Sequence, residues 1–239
     1  MGGVKGVKAM RTGAPRDITP LLTYGYQVKI GEYISRGFEL LLPNIALFIV
    51  YELIVFVALF LLALPILLIF SIPVIGFLLA TPLLIIVSAL SIVMNSGFYL
   101  VALRIVENEP IAFSNFFDGF RRFMDYSLLG IIRSYITSIG FYFCILPGFY
   151  LSLAYSFDIL AMSDQEIDFW PAMEMSRQLV TKNFFPMFGF LLLLGLINLG
   201  GLLLCGLGLL LTIPLTYCAM TVAYMDIMNQ GSNPINSTF

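Results

Sequence analysis

Histidine is absent from this chain of 239 residues, and charged residues make up only 11% of it. Without histidine, the chain cannot build His-containing zinc sites or the Ser-His-Asp and Cys-His pairs of many hydrolases. The net charge of −2 argues against a nucleic-acid partner, because nucleic-acid-binding proteins neutralise phosphates with an excess of Lys and Arg. We therefore expect no catalytic residues, no metal site and no cofactor.

Cysteine is also scarce. Cys144, Cys205 and Cys218 lie in apolar runs, and none of them has CxxC spacing. Cys144 and Cys205 fall beside predicted turns, which leaves a disulfide between them open. We favour the alternative, in which all three are free thiols that pack as small apolar side chains.

Apolar residues, by contrast, are unusually abundant. They make up 60% of the chain and its mean hydropathy is +0.98, whereas soluble domains contain about 45–50% apolar residues. The apolar blocks at 40–103, 127–163 and 184–225 are long enough for spans of about 20 residues that cross a bilayer. We predict an all-α membrane protein with one membrane domain at 25–228, a basic tail at 1–24 that touches lipid headgroups, and a C-terminal tail at 229–239.

Three glycine-containing strings interrupt the apolar blocks and predict three helical hairpins. They read GFLLATP from 76, LPGFYLSLA from 146 and GLGLLLTIP from 206. Glycine allows the positive φ of a tight reversal, and proline fits the first turn of a helix. The predicted turn residues are Gly76, Pro147, Gly148, Gly206, Gly208 and Pro214, in turns at 65–77, 146–149 and 205–208. Six transmembrane helices follow, at 40–64, 78–103, 127–145, 149–163, 184–204 and 209–228.

The distribution of positive charge predicts the orientation of these hairpins. Eleven of the twelve Lys and Arg residues lie in the N-terminal tail or in the connectors before each hairpin, and the three turns carry no charge. Because cytoplasmic loops are enriched in Lys and Arg, both termini are expected in the cytoplasm. The predicted location is the cytoplasmic membrane of a bacterium or archaeon.

An amphipathic segment precedes each hairpin and suggests a threefold repeat, with units at about 25–105, 111–163 and 166–228. In the second unit, Phe113, Phe116, Phe117 and Phe120 recur at helical spacing opposite Arg121 and Arg122. The first unit has such a segment at 29–41, and the third places Trp170 and Arg177 in one. We favour helices that lie in the membrane interface. The alternative is that each segment is the hydrated end of the following transmembrane helix.

A longer pattern, from 145 to 188, resembles a known family. The run ILPGFYLSLAYSFDILAMSDQEIDFWPAMEMSRQLVTKNFFPMF combines a Pro-Gly turn, a helix ending in acidic residues and an A-M-x-x-S helix followed by arginine. Over about residues 110–228 the chain resembles the membrane domain attached to some bacterial glycerophosphodiester phosphodiesterases. The matching residues are Pro147, Gly148, Ala172, Met173, Ser176, Arg177, Gly206, Gly208 and Pro214. The resemblance implies a six-helix membrane domain without catalysis of its own, because the chemistry of the fused relatives belongs to a separate soluble domain.

Polar residues inside the predicted spans are the candidate functional residues, since such groups are costly in lipid unless paired or hydrated. Glu52, Asn95 and Asn198 lie deep in three different spans. Glu52 could line a path for a proton or cation, or it could hold the helices together as a hydrogen-bonded carboxyl. Arg133 and Asp158 lie at similar depths on either side of the second turn, which predicts a structural salt bridge.

These features favour a non-catalytic membrane protein that acts as a scaffold or interacts with lipid, with another membrane protein or with a second copy of itself. The alternative is a transporter or channel-like protein with a polar path near Glu52, Asn95 and Asn198. A membrane enzyme ranks third, because proton transfer without histidine would need paired carboxylates or a metal cluster.

Overall fold

The computed structural model describes residues 16–70, 75–204 and 206–232, and within these ranges the chain forms α-helices and no strand. The ten α-helices of the described residues are α1 (Thr19–Tyr24), α2 (Ile30–Leu41), α3 (Ile45–Phe70), α4 (Ile75–Val106), α5 (Phe123–Phe143), α6 (Ile145–Ala154), α7 (Asp158–Gln165), α8 (Phe169–Lys182), α9 (Phe184–Leu203) and α10 (Leu209–Ser232). Short 3-10 helices join α2 to α3 (Leu42–Asn44) and precede α5 (Phe113–Arg122).

Five stretches of the described chain are long and apolar enough to cross a membrane. They are Ile30–Ile69, Leu83–Val106, Ile145–Gln165, Phe184–Leu203 and Leu209–Gly231. The protein is therefore all-helical, with several helices of the length and composition of transmembrane spans. Helix α5, predicted as the third of six spans, is not among the five.

Helix α2 packs antiparallel along α10. The Tyr33 hydroxyl donates to Asp226 Oδ2 at 2.8 Å, and four residues later Gly37 approaches the backbone of Ala219. A Cβ atom at position 37 would lie 2.9 Å from Ala219 Cα, so only glycine fits this crossing without a shift. The segment at 29–41, predicted to lie in the membrane interface, forms a helix–helix contact with the last helix.

The 3-10 helix Phe113–Arg122 lies against α4 in a similarly close contact. Gly119 sits over Ser96, and Gly97 sits under the carbonyl of Phe116, with no room for a side chain at either glycine. The Phe116 ring is fully buried and stacks on Tyr51 with centroids 4.4 Å apart. Of the four phenylalanines predicted to share one face of an interfacial helix, Phe116 is therefore buried inside the protein, whereas Phe113, Phe117 and Phe120 keep part of their surface exposed.

The turn between α5 and α6 differs from the prediction. The chain reverses at Cys144, whose backbone is extended, so Pro147 and Gly148 lie in the first turn of α6. A Cβ atom on Gly148 would lie 2.5 Å from the Phe141 amide nitrogen, so this glycine permits close approach of α5 and α6. Its role is helix packing rather than positive φ.

The other predicted turns have mixed outcomes. Helix α3 continues through Pro65 to Phe70, and Gly76 lies inside α4, so the predicted turn at 65–77 is too long. Residues 71–74 lie outside the described part of the chain. Gly206 has φ +77° in the turn before α10, as a tight reversal requires. The other two residues predicted for this turn lie elsewhere. Gly208 packs on Gly201, and Pro214 lies within α10.

Candidate functional site

The three polar residues predicted as one path lie around helix α10 but do not contact one another directly in the structure. The Tyr217 hydroxyl donates to Asn95 Oδ1 at 2.6 Å, and Asn198 Nδ2 donates to the Thr216 hydroxyl at 2.9 Å. Because Thr216 and Tyr217 are adjacent, one turn of α10 holds both amides.

Glu52 completes this polar layer from helix α3. Glu52 is 8% exposed, and its Oε2 atom is buried without a hydrogen-bond partner among the described residues. Its charge lies within electrostatic range of Tyr217, which also lies within range of Arg133. Tyr217 therefore lies near both an acidic and a basic side chain.

Arg133 and Asp158 form the ion pair of this layer. Arg133 Nη1 lies 3.1 Å from Asp158 Oδ1 and 3.2 Å from Oδ2, so the structure brings the two residues together as the sequence predicted. The Asp158 side chain is 1% exposed, while that of Arg133 is 28% exposed. The carboxylate thus lies behind the guanidinium, which faces outward.

Asp158 owes its position to a break in the predicted fourth span. Residues 155–157 form a turn between α6 and α7, so Asp158 is the first residue of a new helix and its Oδ1 accepts the Ile159 N–H at 2.6 Å. Carboxylates are favoured at helix N-termini, where N–H groups lack helical partners. The prediction of one continuous helix at 149–163 is therefore wrong.

Ser176 on α8 bridges this break. Its hydroxyl donates to the Ala154 carbonyl at 2.7 Å and accepts the Phe157 N–H at 3.0 Å. Two backbone groups that a continuous helix would satisfy are satisfied by one buried side chain. Ser176 belongs to the A-M-x-x-S motif, so the motif has a structural use here.

A cavity of about 580 Å³ opens beside Arg133, between α5, α6, α9 and α10, with Tyr99 of α4 at its base. Helix α5 lines it with Arg133, Ser134, Thr137 and Ser138. Arg133 is the eleventh of the 21 residues of α5, so the cavity opens on the flank of the bundle and not at the helix ends. Its volume falls in the range of small-molecule sites.

The opposite wall of this cavity is also rich in hydroxyl groups. Helix α6 and the turn that follows it contribute Ser152, Tyr155 and Ser156. The hydroxyls of Ser156 and of Thr137 on α5 are buried and have no hydrogen-bond partner among the described residues. Unsatisfied buried hydroxyls are costly and uncommon, so two of them on residues that line one cavity indicate a place for a polar ligand or water.

The cavity accounts for the composition of α5. Its polar residues at 133, 134, 137 and 138 follow the spacing of one helical face, and that face lines the cavity. They reduce the apolar character of α5 relative to the five candidate spans. The i, i+1, i+4, i+5 spacing of these four residues predicts such a face. Our predictions from the sequence considered single deep polar residues and did not include it.

A second cavity, of about 510 Å³, gathers the arginines predicted at the interface. Arg121 and Arg122 line it together with Arg104. Arg104 lies 2.7 Å from Asp118 Oδ2, and Arg121 lies 3.3 Å from Oδ1 of the same residue. Arg122 donates to the backbone carbonyls of Met162, within α7, and of Ile167, after it. Both charge signs are present in its lining, so this cavity favours no single ligand charge.

The third predicted interfacial segment is helix α8. Trp170 is 60% exposed near its start. Arg177 donates two hydrogen bonds to Glu174, at 2.8 Å and 2.6 Å. These bonds lower the pKa of the Glu174 carboxyl below its ordinary value and raise that of the Arg177 guanidinium. The pair is a solvated contact on one helix face.

Among the described residues, no group of three Cys, Asp or Glu side chains is placed to hold a metal ion. Cys144 is exposed at the turn and Cys218 is buried. Cys205 lies outside the described residues. Whether it forms a disulfide with Cys144 therefore remains open, as in the sequence analysis.

No protein-family model matches the chain, and no curated protein or solved structure is significantly similar to it. The resemblance to the membrane domain of glycerophosphodiester phosphodiesterases therefore rests on the quoted residues and stays a prediction.

Proposed function

We propose that this protein is a non-catalytic, lipid-interacting module of a bacterial or archaeal cytoplasmic membrane, and that it holds the polar part of an amphipathic molecule in the cavity beside Arg133. The observation that carries the proposal is the position of this hydroxyl-lined cavity midway along apolar helices. A polar group there is shielded from lipid tails, while an attached chain can leave along the flank of the bundle.

The lining of the cavity suits an amphipathic ligand. Polar groups cover one side, whereas Phe141, Leu191 and Met220 add apolar surface. Ser134, Ser138 and Ser152 are exposed, so the cavity is open beside α5 and α6. Ligand sites combine mostly apolar walls with a few placed polar groups in this way.

A binding role accounts for these residues better than catalysis. Asp158 backs the cavity, but its oxygens are occupied by Arg133 and by the N-terminus of α7. A carboxylate held in that way is a poor general base, because its lone pairs already accept hydrogen bonds.

Retention of lipid tests the proposal. Ser138→Trp places a large side chain at the open edge of the cavity, and Ser88→Trp places the same side chain on the exposed surface of α4. Native mass spectrometry of the purified proteins should find one retained lipid per chain in the wild type and in Ser88→Trp, and none in Ser138→Trp. Equal retention in both variants would place the lipid elsewhere and contradict the proposal.

We further propose six spans arranged as three hairpins, with interfacial segments before them and both termini in the cytoplasm. The polar face of α5 supports its inclusion, because a helix that lines a cavity can cross a membrane with a polar stripe.

Tyr142, next to the turn after α5, is 92% exposed. A single cysteine there, in a chain with Cys144, Cys205 and Cys218 replaced by Ala, should react with an impermeant thiol reagent in intact cells. Reaction only in opened membranes would mean that α5 and α6 do not reach the far side.

Transport is the second candidate, favoured by the polar residues Glu52, Asn95 and Asn198, which gather around Thr216 and Tyr217 of α10. If water reaches this layer, a cysteine that replaces Glu52 in the cysteine-free chain will react rapidly with an impermeant reagent. A cysteine that replaces Asn115, on the 3-10 helix, serves as the reactive control in opened membranes. No reaction at position 52 would leave lipid interaction as the proposed function.

A further inference from the structure

The side chain of Arg133 has an unused edge. Its Nη1 serves both oxygens of Asp158, and no described residue accepts a hydrogen bond from its Nε or Nη2. These two nitrogens form the side of the guanidinium that binds two oxygens of one anion. Because the side chain is 28% exposed beside the cavity, this edge is available to a ligand there.

Two hydroxyl groups beside Arg133 can also donate hydrogen bonds. Thr137 and Ser156 each present a buried hydroxyl without a partner among the described residues, and both line the same cavity as Arg133. The negative charge of Asp158 lies behind the guanidinium, with 1% of the side chain exposed. A ligand entering the cavity therefore meets the free N–H donors of Arg133, with two unpaired hydroxyls in the wall beside them, and an acceptor-rich anion complements these groups.

We propose that the cavity binds the phosphodiester group of a phospholipid headgroup, with Arg133 as the residue that determines this specificity. The inference rests on the proposed lipid-binding function and deepens it. A phosphodiester offers two unesterified oxygens to the two free nitrogens of Arg133 and further lone pairs to the hydroxyls of Thr137 and Ser156.

Charge favours a diester over a monoester. Arg133 and Asp158 together are neutral, so a phosphodiester brings the site to −1 and a doubly charged phosphomonoester brings it to −2. Uncompensated charge is expensive in an environment of low dielectric constant. A phospholipid is therefore a better occupant than the dianionic form of free phosphate, whose chemistry towards the donors is otherwise the same.

The test compares binding of lipids with matched acyl chains to the delipidated protein in detergent, measured by native mass spectrometry. The series is phosphatidylglycerol, a glucosyl diacylglycerol without phosphate, and the free fatty acid; inorganic phosphate and glycerol phosphate are added as soluble competitors. We expect phosphatidylglycerol to bind at least about tenfold more tightly than the glycolipid, as loss of a charge-assisted hydrogen bond implies.

Two sets of variants assign the effect to the site. Arg133→Gln with Asp158→Asn removes both charges together, so no buried charge is left alone. Thr137→Val with Ser156→Ala removes only hydroxyls that lack protein partners and should not lower the melting temperature. Each set should reduce phosphatidylglycerol binding several-fold and leave glycolipid binding unchanged. Because the two sets perturb different groups, the second remains decisive if the first fails to fold.

The outcomes separate the inference from the function on which it rests. Equal binding of glycolipid and phosphatidylglycerol, blocked by Ser138→Trp, would overturn the phosphodiester inference and keep the lipid-binding function. Preference for the fatty acid would overturn the inference in the same way. Binding of soluble phosphate as tightly as phosphatidylglycerol would support the donor chemistry but contradict a lipid ligand. Binding of phosphatidylglycerol that is unchanged in both variant sets would overturn the inference.

Discussion

The hydroxyl of Ser176 donates to the carbonyl of Ala154 at a distance of 2.7 Å, and this contact joins helix α8 to the point where the fourth apolar span breaks. The same hydroxyl accepts the N–H of Phe157. One side chain therefore supplies both a donor and an acceptor to a gap in the helical hydrogen bonds. The break places Asp158 at a helix N-terminus opposite Arg133, so Ser176 supports the geometry of the cavity from behind.

Ser176→Ala removes this bridge and leaves the Ala154 carbonyl and the Phe157 N–H buried without partners. Each unsatisfied buried group costs about 1–3 kcal/mol, so we expect a clear fall in stability. Thermal unfolding in detergent should show a lower melting temperature for Ser176→Ala. Ser88→Ala is the matched control, because Ser88 is exposed and its hydroxyl bonds only within its own helix. Equal melting temperatures would mean that the break is held by other contacts.

Arg133→Gln alone is expected to be more damaging than removal of the whole ion pair. It leaves the Asp158 carboxylate, 1% exposed, without its counter-charge. Breaking a buried pair on one side costs about 3–5 kcal/mol, while replacing both partners is often close to neutral. The double variant Arg133→Gln with Asp158→Asn should therefore recover much of the lost melting temperature. A double variant no more stable than Arg133→Gln would contradict this coupling.

The contact between Arg133 and Asp158 was predictable because a hairpin fixes depth on both of its arms. Arg133 lies 144 − 133 = 11 residues before the observed turn at Cys144, and Asp158 lies 158 − 144 = 14 residues after it. The difference of three residues corresponds to about 4.5 Å of helix rise, which the length of an arginine side chain spans. An error of a few residues in the turn therefore leaves the pairing intact.

The break at 155–157 and the burial of Phe116 were not predictable in the same way. The break is bridged by the Ser176 hydroxyl, which is a tertiary partner 19 residues from Phe157. An amphipathic pattern of phenylalanines also looks the same whether its apolar face meets lipid or another helix, because both surroundings are apolar. Phe116 packs on Tyr51 of α3. The 3-10 helix that carries Phe116 comes close to α4 because Gly97 and Gly119 leave room at their contact.

The crossing of α2 and α10 provides a matched pair of glycine variants. At Gly37 a Cβ atom would lie 2.9 Å from the Cα and N of Ala219, whereas at Gly31 it would meet nothing within 4 Å. Gly31→Ala should stabilise α2 by about 0.5–1 kcal/mol, because alanine is the better helix former. Gly37→Ala should lower the melting temperature, since backbone cannot yield as a side chain can. A gain in stability for both variants would mean that the crossing is looser than the structure has it.

The buried carboxyl of Glu52 offers a last comparison, with Asn95, the other polar residue near Tyr217. Glu52 Oε2 is buried without a partner among the described residues, whereas Asn95 Oδ1 accepts the Tyr217 hydroxyl at 2.6 Å. Replacing an unpaired polar group with an apolar one of similar size is neutral or stabilising, but removing one side of a hydrogen bond costs about 1–3 kcal/mol. Glu52→Leu should therefore keep or raise the melting temperature in detergent, and Asn95→Leu should lower it. A fall in melting temperature for Glu52→Leu as large as that for Asn95→Leu would mean that the carboxyl makes a stabilising contact with water or an ion. The polar layer around Tyr217 would then become the first candidate for a transport path.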